Sequence, residues 1–177
     1  MIRLFVGLKI PDAPAQHLQA LGGGIPGARW VEARNLHVTL RFIGEVDEGL
    51  AAEIDEALAQ VQAPAFEMAL TGFGTFGRSK PNHLWAAVEK SPALLHLQAK
   101  VEAALARLGL APEGRKYLPH VTLARLRDAP VTRVQDFIVR ASPFHAGPWP
   151  VRNFVLFSSH LGHGGAEYEA VADYPLD

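Results

Sequence analysis

The sequence predicts an α+β fold built on mainly antiparallel sheets. Strand-like and helix-like segments follow one another without strict alternation, which argues against a parallel, doubly wound sheet. The glycine-rich stretch Leu161-Gly162-His163-Gly164-Gly165 separates two strand-like runs and marks a hairpin. The tetrapeptide His-Val-Thr-Leu occurs twice, at residues 37–40 and 120–123, each time within a strand-like pattern. That repeat hints at an internal duplication, although the flanking residues are not obviously repeated.

Arg3 to Ile10 reads as a buried strand. Pro11-Asp12 opens a helix over residues 12–21, with Pro14 in the first turn where proline is tolerated, and Gly22-Gly23-Gly24 stops it. Residues 35–43 alternate: Leu36, Val38, Leu40 and Phe42 take one face, His37, Thr39 and Arg41 the other. Asp47 opens an amphipathic helix over 47–61, with Ile54, Leu58 and Val61 on its apolar side. Residues 65–76 and 83–89 read as strands joined by Gly77-Arg78-Ser79-Lys80-Pro81. Ser91 caps a helix with Pro92 at its first position, running to about Leu108 and ended by Gly109. Residues 118–126 read as a strand, 131–139 as a short helix, and 144–147, 151–160 and 167–174 as strands.

A chain of 177 residues is expected to form one domain, here 1–177 with two lobes, and to bury a core unaided. Its N-terminal apolar run is broken by Arg3 and Lys9 and reads as a strand, not a signal peptide. No run of apolar residues is long enough for a membrane span. The net charge of -1 argues against a broad basic face for long nucleic acid and leaves room for a small anion site. The absence of cysteine excludes disulfides, thiolate metal sites and cysteine nucleophiles, and fits a cytoplasmic location.

Residues two apart on a strand share a face. His37 therefore projects with Thr39, and His120 with Thr122. Two such strands side by side frame a cleft with two imidazoles and two hydroxyls. This set suits attack on a phosphodiester: a neutral histidine takes a proton from the nucleophile and a protonated one gives a proton to the leaving oxygen. The hydroxyls donate to non-bridging phosphate oxygens. Which histidine plays which role stays open, because the motifs are locally alike. The bland alternative is two ordinary half-exposed strands. A metal site competes less well, because neither histidine has a nearby ligand partner at metal-binding spacing.

The neighbourhoods of both motifs resemble a known family. Residues 29–44, Arg29-Trp30 through His37-Val38-Thr39-Leu40 to Gly44, are similar to the first motif of the bacterial RNA 2',3'-cyclic phosphodiesterases, formerly called 2'-5' RNA ligases, of the two-histidine phosphoesterase superfamily. Tyr117-Leu118-Pro119-His120-Val121-Thr122-Leu123-Ala124-Arg125 resembles the second. Gly72-Phe73-Gly74-Thr75-Phe76 with Leu84-Trp85, and residues 154–159, match as well. The resemblance implies a bilobal fold of two mainly antiparallel sheets flanked by helices, with the cleft between them. It implies metal-independent opening of a 2',3'-cyclic phosphate to a 2'-phosphomonoester, with no cofactor, on RNA ends or nucleotides. On it, His37 is the general acid for the 3' leaving oxygen, His120 the general base, and Thr39, Thr122 and Arg125 hold the phosphate.

Strict alternation would put Arg125 on the face away from His120, so its role requires a bulge or a strand that ends by Leu123. Arg41, on the face of His37, is a second candidate cation. Phe73, Phe76 and Tyr117 are candidates for stacking a base. Arg78 and Lys80 are candidates for RNA phosphates. His17, His83, His96, His145, His160 and His163 have no motif company and read as surface or structural, and Trp30 and Trp149 as packing residues. Two alternatives accompany the hydrolase: a module that only binds RNA ends or nucleotides, and 2'-5' ligation by the reverse reaction. A monomer is expected.

Overall fold

The structure is a computed structural model that describes residues 1–177. Strand β1 (Ile2–Lys9) is buried continuously from Leu4 to Leu8. Helix α1 (Asp12–Leu21) and the three-residue β2 (Ala28–Trp30) follow. A 3-10 turn over Ala33–Asn35 leads into β3 (His37–Val46). Helix α2 (Glu48–Ala59) starts after Asp47, whose carboxylate accepts from the Leu50 N–H at 2.8 Å. Strands β4 (Phe66–Phe76) and β5 (His83–Val88) precede α3 (Pro92–Ala106), where the Ser91 hydroxyl accepts from the Leu94 N–H at 3.2 Å. The chain ends with β6 (His120–Leu126), α4 (Val131–Ala141), β7 (His145–Val151), β8 (Asn153–Gly162) and β9 (Gly165–Pro175). Strand β2 is too short to leave a periodic signal. Strand β7 runs past its expected end through Pro148 and Pro150, which an edge position tolerates.

All strand pairings are antiparallel, in the order β7-β4-β5-β6-β3-β1-β8-β9, with β2 beside β6. The order is palindromic in its connections. Adjacent β1 and β3 flank α1 in sequence, as adjacent β5 and β6 flank α3. Strand β8 then lies outside β1 as β4 lies outside β5. The duplication hinted at by the repeated tetrapeptide is thus present in the topology. The two expected sheets meet at one residue pair, Val38↔Val121. Both valines are fully buried within one core cluster that draws on both halves. Helix α3 packs on β3 and α4 on β4.

Each motif strand departs from strict alternation at the same place. Against β1, Thr39 faces Gly7 and Arg41 faces Val6, so Leu40 is an extra residue. Against β5, Thr122 faces Trp85 and Ala124 faces Leu84, so Leu123 is extra. These are β-bulges, each returning the strand to its earlier face one residue late. Leu40 and Arg41 are both buried, as are Leu123 and Ala124, while Phe42 and Arg125 emerge exposed on the side of the histidines.

This bulge overturns the expectation for Arg41. It turns away from His37 into the core and is only 6% exposed. Its Nε lies 2.6 Å from Glu102 Oε1, and its terminal nitrogens donate to the Phe42 and Ala111 carbonyls. Removing one partner of such a buried pair strands the other charge, at a cost of about 3 kcal/mol or more. Arg41→Ala is therefore expected to lower unfolding stability by about 3 kcal/mol in a urea titration, and Arg41→Met with Glu102→Leu to recover most of it. An unchanged midpoint in the single variant would show that the pair carries no net stability.

Candidate active site

The Val38↔Val121 pair fixes the geometry of the site. Both valines point into the core, so the residues flanking them point the other way. One step along each antiparallel strand sets His37 opposite Thr122 and Thr39 opposite His120. The two imidazoles are held alike. Nδ1 of His37 lies 2.7 Å from the Asn35 carbonyl oxygen, and Nδ1 of His120 lies 2.7 Å from that of Leu118. A carbonyl only accepts, so Nδ1 carries the proton in both rings. Each Nε2 is then the free nitrogen when the ring is neutral. That of His37 lies 3.0 Å from Thr39 Oγ1.

The rings differ in surroundings. His37 packs against Phe5, Tyr168 and Phe157, with ring centroids 4.7, 5.2 and 6.1 Å away. It also crosses Gly7, where a Cβ would stand 2.8 Å from the Val38 carbonyl oxygen and 3.6 Å from His37 Cδ2. No larger residue fits there. This burial pushes the His37 pKa down to about 4; the hydrogen bond to Asn35 opposes the shift and the charge of His120 adds to it. His120 stands between Phe76 and Trp85, with centroids at 4.9 and 5.9 Å. Its pKa is also lowered by burial, against the pull of the Leu118 carbonyl.

A cleft of about 660 Å³ opens over this face, lined in part by His37, Thr39, Thr122, Arg125, Phe42 and His83. Arg125 arrives there through the bulge that its role required. His120 does not line the cavity itself and stands beside it on the face of Thr122. Neither Arg78 nor Lys80 lines the cleft, and Lys80 pairs with Asp128 at 3.4 Å. The structure holds no group of three His, Asp or Glu side chains placed to bind a metal.

Of the three aromatic candidates, only Phe76 has its ring packed against a motif histidine, His120. Phe73 faces the other way, onto Phe137 of α4 and Phe144, at 5.6 and 5.5 Å. An irregularity in the β4–β5 register just before Phe73, at Gly72 with φ +73°, breaks the alternation there. Tyr117 is a strut. Its hydroxyl donates to the Thr39 carbonyl oxygen at 2.7 Å, and burial pushes its pKa up. It thereby ties the segment entering the second motif to the first motif strand. Trp30 and Trp149 pack in or against the core as expected.

Sequence reasoning missed several cleft residues, His83 and Phe42 among them. His83 faces the cleft opposite Arg125 in β6, with Nδ1 2.8 Å from Asn82 Oδ1. Burial lowers its pKa first, then the positive charges of Arg125 and His120. The alternation His83, Trp85, Ala87 was the available signal. Phe42 is 48% exposed although aromatic. Its place five residues after His37 matches that of Arg125 after His120, so the repeat itself carried that signal.

The site is thus of the two-histidine class, with two threonines and an arginine at hand. Comparison with known proteins agrees with this class. The family model for the 2'-5' RNA ligase superfamily matches residues 10–163. An RNA 2',3'-cyclic phosphodiesterase of Geobacillus stearothermophilus is 32% identical over 97% of this chain and 56% of its own length. One from Aeropyrum pernix is 43% identical over 60% of this chain and 61% of its own length. One from Archaeoglobus fulgidus is 31% identical over 95% and 97%. The chain therefore spans little more than half of the first two and nearly all of the third. A Thermus thermophilus crystal structure superposes with a TM-score of 0.79 at 27% identity, covering 98% of this chain and 97% of the other. Escherichia coli LigT complexed with 3'-AMP gives 0.79 at 26%, covering 99% and 98%. This chain belongs to the 2'-5' RNA ligase superfamily.

The depressed His37 pKa links folding to pH. The unfolded state binds a proton near pH 6.5 and the folded state only near pH 4. Stability therefore falls as pH drops through that window, by up to about 3 kcal/mol from this residue. Urea titrations at pH 7 and pH 4.5 are expected to show a smaller loss for His37→Gln than for the unsubstituted chain. Equal losses would remove the burial of His37 as their source.

Proposed function

We propose that this chain opens 2',3'-cyclic phosphates, on RNA ends or nucleosides, to 2'-phosphomonoesters without a metal ion. The observation that carries this reading is the matched pair of imidazoles, each with Nδ1 held by a backbone carbonyl so that Nε2 is the unprotonated nitrogen of the neutral ring, beside two threonine hydroxyls and Arg125. Membership of the superfamily supports it, as do relatives named for this activity. His120 Nε2 takes a proton from water as the new oxygen–phosphorus bond forms. His37 Nε2 gives its proton to O3' as the bond from phosphorus to O3' breaks. Thr39, Thr122 and Arg125 hold the non-bridging oxygens, where charge gathers. In the free protein burial keeps both imidazoles neutral at neutral pH. The phosphate anion raises both pKa values and favours the proton that His37 needs.

Phe42 and Phe76 offer aromatic surfaces beside the phosphate site for a base. The chain is read as a single two-lobed domain and a monomer in the cytoplasm; a main core cluster of 36 buried residues drawn from both halves supports the single domain.

Hydrolysis of adenosine 2',3'-cyclic phosphate in EDTA tests the proposal. Turnover is expected to persist with chelator and to fall by roughly 10²–10⁴-fold in His37→Ala and in His120→Ala. Phosphorus NMR is expected to show the 2'-phosphate. Chelator-sensitive turnover would sink the metal-free mechanism, a 3'-phosphate the assignment of the acid, and nucleotide binding without turnover the hydrolase itself.

The pH profile is a separate check. The required state pairs a protonated His37 with a neutral His120, so kcat/KM passes through a maximum bounded by the two free-protein pKa values. One is about 4 and the other lies below 6.5. The maximum is therefore expected on the acid side of pH 6.5. A profile flat from pH 5 to 9, with the chemical step shown to limit turnover, would rule out paired histidine catalysis.

A further inference from the structure

Beside the catalytic cleft lies a second, smaller cavity of about 200 Å³. The two share Val31, Asn35, Arg125, Leu161, Ala166 and Tyr168, so they form one continuous groove. The floor of the smaller cavity is the β2–β6 pairing, in which Arg29 stands directly opposite Arg125. Directly opposed residues of antiparallel strands share a face, with Cα atoms only about 4.5–5.5 Å apart. Like charges so placed repel, and neither arginine has a carboxylate partner within ion-pair distance. Of the nearby acids, Glu32 pairs with Arg34 at 2.8 Å and Glu167 lies 3.7 Å from His160 Nε2, neither within ion-pair distance of Arg29 or Arg125. The β8–β9 turn closes over Arg29, whose guanidinium lies 3.2 Å from where a Gly165 Cβ would stand. Two unpaired guanidiniums held side by side in a groove form a site for more than one anionic group.

We propose that Arg29 and this second cavity bind the phosphate on the 5' side of the cyclised nucleotide, so that the chain takes oligonucleotide ends in preference to mononucleotides. This rests on the proposed function, which occupies Arg125 with the cyclic phosphate itself. Arg29, one strand over, is then the next cation along the groove. Leu161, 90% exposed at the hairpin tip, lines both cavities and offers an apolar contact to the neighbouring nucleoside.

The test compares adenosine 2',3'-cyclic phosphate with the dinucleotide ApA bearing the same cyclic end. At low salt kcat/KM is expected to be roughly tenfold higher for the dinucleotide, equivalent to about 1.4 kcal/mol, and the preference to shrink as salt rises. Arg29→Gln is expected to erase the preference and leave the mononucleotide unchanged. Arg29→Lys restores part of it. A neutral methylphosphonate linkage in the dinucleotide erases it without altering the protein. A preference that survives both Arg29→Gln and the neutral linkage, or an equal loss on both substrates in Arg29→Gln, would overturn the subsite. If the unsubstituted chain opens neither substrate, the proposed hydrolysis fails. Equilibrium binding of the two 2'-phosphate products, with the same variants, then decides the subsite by the same criteria.

Discussion

One antiparallel residue pair, Val38 with Val121, holds the two half-sheets edge to edge. The arrangement of the cleft depends on it. The two valines are buried on one face, and that fixes four polar side chains on the other. Tyr117 adds a second tie within one residue of the same place, from its hydroxyl to the Thr39 carbonyl. The core cluster runs beneath both. A site assembled from strands so far apart in the chain needs this rigidity, because small displacements of positioned groups are costly to catalysis.

From that symmetric start the two sides diverge. Both histidines use a backbone carbonyl two residues back to orient Nε2. His37, however, lies among Phe5, Tyr168 and Phe157, while His120 has Phe76 and Trp85. The bulges repeat as well, but the residue each delivers differs: an aromatic ring on one side and a guanidinium on the other. An asymmetric ligand therefore meets a cleft that distinguishes its ends. His83 adds to the asymmetry: it faces Arg125 in one half, while His160 of β8 lines the cleft from the other.

Much of this was legible in the sequence. Period-two alternation placed His37 with Thr39 and His120 with Thr122, because side-chain direction in a strand is local. Asp47 and Ser91 announced their helices through hydrogen bonds made within three residues. The bulges were not legible, since an extra residue exists only relative to a partner strand. For Arg125 the sequence specified the condition, a bulge before it, without showing that the condition was met. For Arg41 the same displacement reversed the reading. Phe73 and Tyr117 were ambiguous for a related reason: aromatic residues near a motif are equally suited to stacking a ligand and to packing, and their contacts to Phe137 of α4 and to Thr39 come from elsewhere in the chain. His83 was passed over because its alternation with Trp85 and Ala87 gave a shared face but not that β6, with Arg125, lies beside it.

The prolines of β7 have a consequence away from the active site. This strand ends the sheet, and two of its seven residues, Pro148 and Pro150, have no N–H to offer. An exposed sheet edge is a template on which another chain can add a strand, the first step toward aggregation. With its ladder of donors interrupted twice, this edge is a poor template for a further strand.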